Sequence, residues 1–275
     1  MTAPTRPLSL AALTVLELTP PQQVECAAQA GYTHIGLRPV PATDTEVRHD
    51  VVGDTPLVRE TEARLRDLGI KVLDIEILRL KPDTDVNTYL PALETGARLG
   101  ATYVLVAGND PDEARLIDSF GALCDLARPL GLKPCIEPMP WTDAKDVKQA
   151  GRIVQAAARA NGGIIIDPIH FDRSCSTVED IAALPPELFG YMQFCDAPAE
   201  RPTDVPGLLF QARCERKIPG EGGLDLAALL NAMPDGIPLS LEIPMEEMAK
   251  TANAFERARR AREATLALLN RINQQ

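Results

Sequence analysis

The chain reads as an α/β protein, a single-domain (βα)8 TIM barrel over residues 1–275, and three observations predict this. Short apolar runs alternate with longer amphipathic segments eight times, the arrangement of βα units around a parallel sheet. Eight units in 275 residues come to roughly 34 residues each, which suits a closed barrel built as one domain. No glycine-rich fingerprint follows the first strand, as a doubly wound nucleotide-binding sheet would carry.

In order, Leu8 to Leu16 is the first predicted strand, and Pro20-Pro21 opens a helix that stops at Gly31. Thr33 to Arg38 is a second strand, followed by a polar, proline-bearing loop from Val40 to Asp54. A helix from Leu57 to Leu68 ends at Gly69, and Ile70 to Leu78 is a third strand with Glu76 near its end. Val86 to Leu99 is helical and stops at Gly100, and Thr102 to Val106 is a fourth strand leading to Asn109. A helix from Pro111 to Leu130 stops at Gly131, and Leu132 to Glu137 is the fifth strand. The helix from Asp143 to Ala160 leads through Gly162-Gly163 into Ile164-Ile165-Ile166-Asp167-Pro168. Three consecutive isoleucines suit a strand covered on both faces, and Pro168 cannot continue its ladder. Thr177 to Leu184 is a short helix and Tyr191 to Cys195 the seventh strand. From Asp196 to Gly223 the pattern is structureless, and loops of that length are usually functional or disordered. Leu224 to Met233 is a helix, Pro238 to Glu242 the eighth strand, and Glu246 to Ile272 a closing helix whose Arg257, Arg259, Arg260 and Arg262 read as a solvated outer face.

The composition, 45% hydrophobic and 24% charged, is that of a globular protein. A formal net charge of −11 excludes a basic footprint for nucleic acid or an anionic membrane, and favours a small-molecule partner. Six cysteines, with no CxxC spacing, signal neither a disulfide framework nor a structural zinc site, and read as reduced thiols in a cytoplasm. The apolar stretch from Leu8 is a poor signal peptide and too short to span a membrane.

In a barrel, the strand ends converge on one mouth, so reading those ends is reading a site. They are Arg38, Glu76, Asn109, Glu137, Asp167, Gln193 and Glu242. Glu137, Asp167, Gln193 and Glu242 come from four successive strands. Converging carboxylates repel, by about 4 kcal/mol for two charges about 4 Å apart at an effective dielectric of 20. A divalent cation resolves this. Three carboxylates and one amide oxygen suit Mg²⁺ or Mn²⁺, with Co²⁺ or Zn²⁺ as further options. Trp141 is placed to wall a substrate ring, Arg213 and Arg216 to grip a carboxylate or phosphate bidentately, and Glu76 and Asn109 to bind hydroxyls.

The runs Cys135-Ile136-Glu137-Pro138-Met139-Pro140-Trp141, Ile166-Asp167-Pro168-Ile169-His170, Met192-Gln193-Phe194-Cys195-Asp196-Ala197, Ile218-Pro219-Gly220-Glu221-Gly222 and Leu241-Glu242 resemble the sugar phosphate isomerase/epimerase group of the xylose isomerase-like TIM barrels. The resemblance covers nearly the whole chain. It implies one divalent metal ion held by Glu137, Asp167, Gln193 and Glu242, although many relatives carry histidine in place of Gln193. It also implies Glu137 and Glu242 as an acid/base pair facing each other across the substrate, with His170 bonding a substrate oxygen or orienting a ligand. The expected reaction is proton abstraction α to a carbonyl of a sugar or keto-sugar, through a metal-stabilised enediolate, giving isomerisation or epimerisation. The alternatives are a dehydratase or lyase of the 3-dehydroshikimate or inosose type, and a non-catalytic sugar-binding barrel. A DNA-repair endonuclease of the same superfamily is disfavoured by the acidic charge and by only three histidines. The expected partners are a polyhydroxy or keto-acid substrate and further copies of the chain, not nucleic acid or membrane.

Overall fold

The computed structural model describes residues 6–43 and 45–274. Eight parallel strands close into one barrel in sequence order: β1 Leu8–Leu10, β2 His34–Leu37, β3 Lys71–Leu80, β4 Tyr103–Gly108, β5 Lys133–Ile136, β6 Gly163–Ile166, β7 Phe189–Phe194 and β8 Leu239–Leu241. β8 returns to β1 with Ser9 beside Ser240, so no described strand is left as an edge.

The helices pack outside: α1 Pro20–Ala30, α2 Pro56–Leu68, α3 Leu90–Arg98, α4 Glu113–Ala127, α5 Val147–Ala157, α6 Pro168–Arg173, α7 Val178–Ala182, α8 Val205–Arg213, α9 Leu226–Ala232, α10 Glu246–Ala249 and α11 Ala254–Ile272. Their ends carry the expected chemistry. Thr19 and Gln22 form a capping box ahead of Pro20, and α1 stops where Gly31 takes φ 84°.

The structure departs from the sequence reading in four places. β1 ends at Leu10 and the chain turns through a 3-10 helix, Ala12–Val15, because Thr14 must turn inward to accept from Ile243 N and donate to Leu241 O. The stretch from Asp196 to Gly223 is ordered and contains α8, capped by Asp204. α6 follows β6 at once, since Pro168 fits a first helical turn. The closing helix is broken after Ala249, and Arg257 is buried against Glu17 instead of facing solvent.

Two packed regions hold the barrel. The strands' outer faces meet the helices in one continuous core that includes Ile35, Leu78, Val104, Phe120, Ile164 and Leu241. Inside, Leu105, Ala107, Cys135 and Ile165 fill one half of the lumen. The other half is polar, formed by Ser9, Asp74, Glu76, Gln193 and Ser240, all buried.

A candidate metal centre at the carboxyl end of the barrel

Asp167 stands where β6 passes into α6, and it does two jobs. Its Oδ1 accepts from Ile169 N at 2.9 Å, capping the helix, and its Oδ2 meets Arg216 Nη1 at 2.6 Å. Asp167, expected from sequence as a ligand, is also a helix cap, and it still points a carboxylate into the mouth. Cys195 Sγ lies 3.4 Å from the same Oδ1.

Arg216 enters from the segment between α8 and β8, with its Nη2 2.8 Å from Glu242 Oε2. It is 3% exposed. Burial works against its charge, and Asp167 and Glu242 outweigh that, holding its pKa well above the ordinary value. Arg216 therefore neutralises two of the acids rather than standing free for substrate.

The segment that delivers it is tied down by Asp196. That carboxylate accepts from the backbone N–H groups of Ala197, Gly220, Gly222 and Leu224 at 2.8 to 3.1 Å. Asp196 and Lys217 also exchange backbone hydrogen bonds. A Cβ at Gly222 would fall 2.2 Å from Asp196 Oδ1, so only glycine fits there.

Glu137, Asp167 and His170 each offer a ligand atom, all within 4.8 Å of one another. Burial, then Glu242 and Asp167, push the Glu137 carboxyl far up, and burial raises Asp167 despite Arg216. Glu137 Oε1 and Gln193 Oε1 are buried with no protein hydrogen-bond partner. Unpartnered hard oxygens among crowded carboxylates fit a divalent cation. Gln193 Nε2 faces the other way, donating to Glu76 Oε2 at 3.3 Å, which leaves the amide oxygen free.

His170 stacks edge-on against Trp141 with 4.9 Å between ring centres, and its Nε2 is 3.8 Å from Asp167 Oδ2 and 4.0 Å from Glu137 Oε1. Burial, then Arg216, holds its pKa well below the ordinary value, so the imidazole is neutral. Glu76 lies under the mouth with its oxygens taken by Arg38 and Gln193, a brace rather than a substrate contact. Burial, opposed by Arg38, sets its pKa at about 7.

Above these acids lies a cavity of about 320 Å³, lined by Glu137, Trp141, His170, Arg213 and Glu242 together with Arg38 and Arg79. Arg213, at the end of α8, sits with its guanidinium carbon 6.0 Å from the Trp141 ring centre. Asn109 lies off this cavity, accepting from Arg79 Nη1 at 3.3 Å and lining an adjoining groove.

Arg79 is the site residue that strand alternation misses. Between Ile75 and Leu78, β3 carries one more residue than β4, and this slip turns Ile77 and Arg79 to the mouth while Leu78 and Leu80 go to the core. Burial, then Arg213, lowers the Arg79 pKa, as two guanidinium groups facing one space require. No periodicity in the sequence marks that extra residue.

The model of the xylose isomerase-like TIM barrel family matches residues 24–269. A 3-dehydroshikimate dehydratase of Pseudomonas aeruginosa is 29% identical over 241 residues, 82% of this chain and 36% of that protein, so the chain spans about a third of that relative's length. An inosose isomerase of Bacillus licheniformis is 26% identical over 199 residues, 68% of this chain and 69% of that protein. Among solved structures, an IOLI protein with a bound zinc atom superposes with a TM-score of 0.78 at 21% identity, covering 97% of this chain and 99% of that one. D-allulose 3-epimerase from Methylomonas in complex with D-allulose has a TM-score of 0.69 at 15% identity, covering 98% and 99%. Fold, strand-end carboxylates and family model agree, and the chain belongs to the xylose isomerase-like TIM barrel family.

Proposed function

We propose that this protein is a divalent-metal-dependent enzyme that removes a proton α to a carbonyl of a hydroxylated keto acid and eliminates water from it. The observation that carries the keto acid is the pair Arg79 and Arg213 beside Trp141: two cations converge on a half-apolar cavity, with no carboxylate paired to Arg213 among the described residues. A substrate carboxylate would answer that charge, bidentately at a planar guanidinium. The relative named 3-dehydroshikimate dehydratase supports a cyclic substrate of this kind.

The residues that would hold the cation are Glu137, Asp167, Gln193 and Glu242. A bound cation would polarise the carbonyl and offset the negative charge that develops on its oxygen. The protein's own groups do the rest. Glu242 is held by Arg216 and, at 3.5 Å, by Arg38, whereas Glu137 keeps an unpartnered oxygen facing the cavity and is the base for the α proton. The C–H electron pair becomes the new C=C bond as the β-hydroxyl leaves. Neutral His170, with an unpartnered Nδ1, donates a hydrogen bond to the leaving oxygen, and the proton taken by Glu137 returns to it as water departs. Trp141 and Met139 keep bulk water off that side of the cavity.

The second reading keeps the proton abstraction and returns the proton to carbon, giving isomerisation or epimerisation. The inosose isomerase relatives favour it. One assay separates the two. Protein with Mn²⁺ is incubated in deuterated water with 3-dehydroshikimate, an inosose and D-allulose. An unsaturated product from the acid, lost by a factor of about 10²–10⁴ in Glu137→Gln, is expected. Exchange into the neutral substrates alone moves the assignment to isomerase; no exchange with any substrate and no bound metal removes the enzyme reading.

A further inference from the structure

Beneath the catalytic acids, the lumen has a floor that the reaction leaves unused. Alternation along the strands sends Ser9 of β1, Asp74 of β3, Tyr191 of β7 and Ser240 of β8 inward, each at most 1% exposed. Bulky branched side chains ordinarily fill these layers of a (βα)8 barrel. Here one neighbour in register is small on each side of the gap, Ser9 beside Ser240 and Asp74 beside Gly36, while Tyr103 flanks Asp74 and Gln193 flanks Ser240. A Cβ at Gly36 would lie 2.8 Å from Asp74 Oδ1, so the carboxylate leans across β2 toward the serines.

The oxygens Ser9 Oγ, Asp74 Oδ1 and Oδ2, Tyr191 Oη and Ser240 Oγ are all buried with no protein hydrogen-bond partner. Burial, then Glu76, pushes the Asp74 carboxyl well above its ordinary value, with Glu242 adding to the rise and the nearby Tyr191 hydroxyl and Arg38 opposing it. A carboxylate buried without an ion pair is costly, and proteins meet this by pairing it, protonating it or binding a cation to it. Five hard oxygen atoms with no nitrogen or sulfur among them suit a hard cation. One carboxylate charge, with three hydroxyls that add none, matches a single positive charge; a divalent ion would leave an excess charge in the core.

We propose that the barrel floor is a binding site for a monovalent alkali cation, Na⁺ or K⁺, held by the Asp74 carboxylate and the hydroxyls of Ser9, Tyr191 and Ser240. The site uses none of the residues assigned to the divalent centre, and it does not depend on the reaction assigned above.

The test is thermal unfolding of the whole chain at fixed pH, fixed ionic strength and saturating Mn²⁺, with NaCl or KCl exchanged stepwise for tetramethylammonium chloride. The expected result is a Tm that climbs with the logarithm of Na⁺ or K⁺ concentration, as for any ligand of the native state. That climb should vanish in Asp74→Asn. Should this variant fail to fold, Ser240→Ala supplies the same test, with the ion concentration giving half the shift raised at least ten-fold. Crystals soaked in Rb⁺ should show an anomalous peak between Ser9, Asp74 and Ser240. A Tm indifferent to the ion, or an ion effect unchanged in both variants, overturns the proposal and assigns a proton to Asp74.

Discussion

Arg216 touches Asp167 and Glu242 at once, and both acids are buried. Removing one partner of a buried ionic cluster leaves the others uncompensated, at a cost of about 3–5 kcal/mol. Arg216→Met is expected to lower stability by that amount without metal and by clearly less with Mn²⁺, which would take over part of the neutralisation. Urea unfolding in EDTA and in Mn²⁺ checks this; equal losses in both would separate Arg216 from the metal centre. The family resemblance implied that His170 bonds a substrate oxygen or orients a ligand. Its burial against Trp141, which makes it neutral, comes from residues 29 positions apart and leaves no local trace.

At the scale of elements, the segment after β7 and the slip in β3 decide what the mouth recognises. Asp196 gathers four backbone N–H groups, so Asp196→Ala should loosen the chain around Arg216. The expected outcome is earlier proteolytic cutting between residues 217 and 224 and a fall in kcat greater than the rise in KM. Gly222→Ala should reproduce it, because the new methyl would meet the same carboxylate. The β3 slip presents Arg79 to Arg213. Arg79→Ala and Arg213→Ala are each expected to raise KM at least ten-fold for acidic substrates and to leave neutral ones nearly unchanged, measured on matched acid and neutral pairs. Equal effects on both would end the carboxylate assignment.

At the scale of the molecule, the barrel crowds carboxylates into one dry space, and their proton affinities become a property of the fold. Glu76 rises from an ordinary 4.5 to about 7, and Glu137 and Asp167 also rise. A raised carboxyl stabilises the fold fully below its unfolded value and loses that contribution as pH rises through the folded one. His170, held low, acts oppositely: its contribution is complete above the ordinary 6.5 and is lost as pH falls below that. Metal-free protein should therefore lose stability from about pH 4.5 to about pH 7 through Glu76, with Glu137 and Asp167 extending the loss. Since Glu137, held far up by burial, must shed its proton to ligate, Mn²⁺ affinity should climb with pH, by up to ten-fold per unit for the proton released. Calorimetric titration at pH 6, 7 and 8 measures this; a flat profile would place the ion elsewhere. No helix among the described residues is long and apolar enough to cross a membrane.

Periodicity alone determined the eight βα units, because strand and helix periods follow from local geometry, and the barrel then brought the strand-end residues Glu137, Asp167, Gln193 and Glu242 to one mouth. The Ile164–Ile166 run and Pro168 marked the end of β6 for the same local reason. Tertiary structure decided the rest. A one-residue slip in β3 turned Arg79 inward, Arg216 came to lie between two acids far away in sequence, and Asp74 was left buried in the lumen with no ion pair among the described residues. These depend on which groups closure of the sheet brings face to face across the lumen, and no spacing along one strand records its neighbour across the barrel.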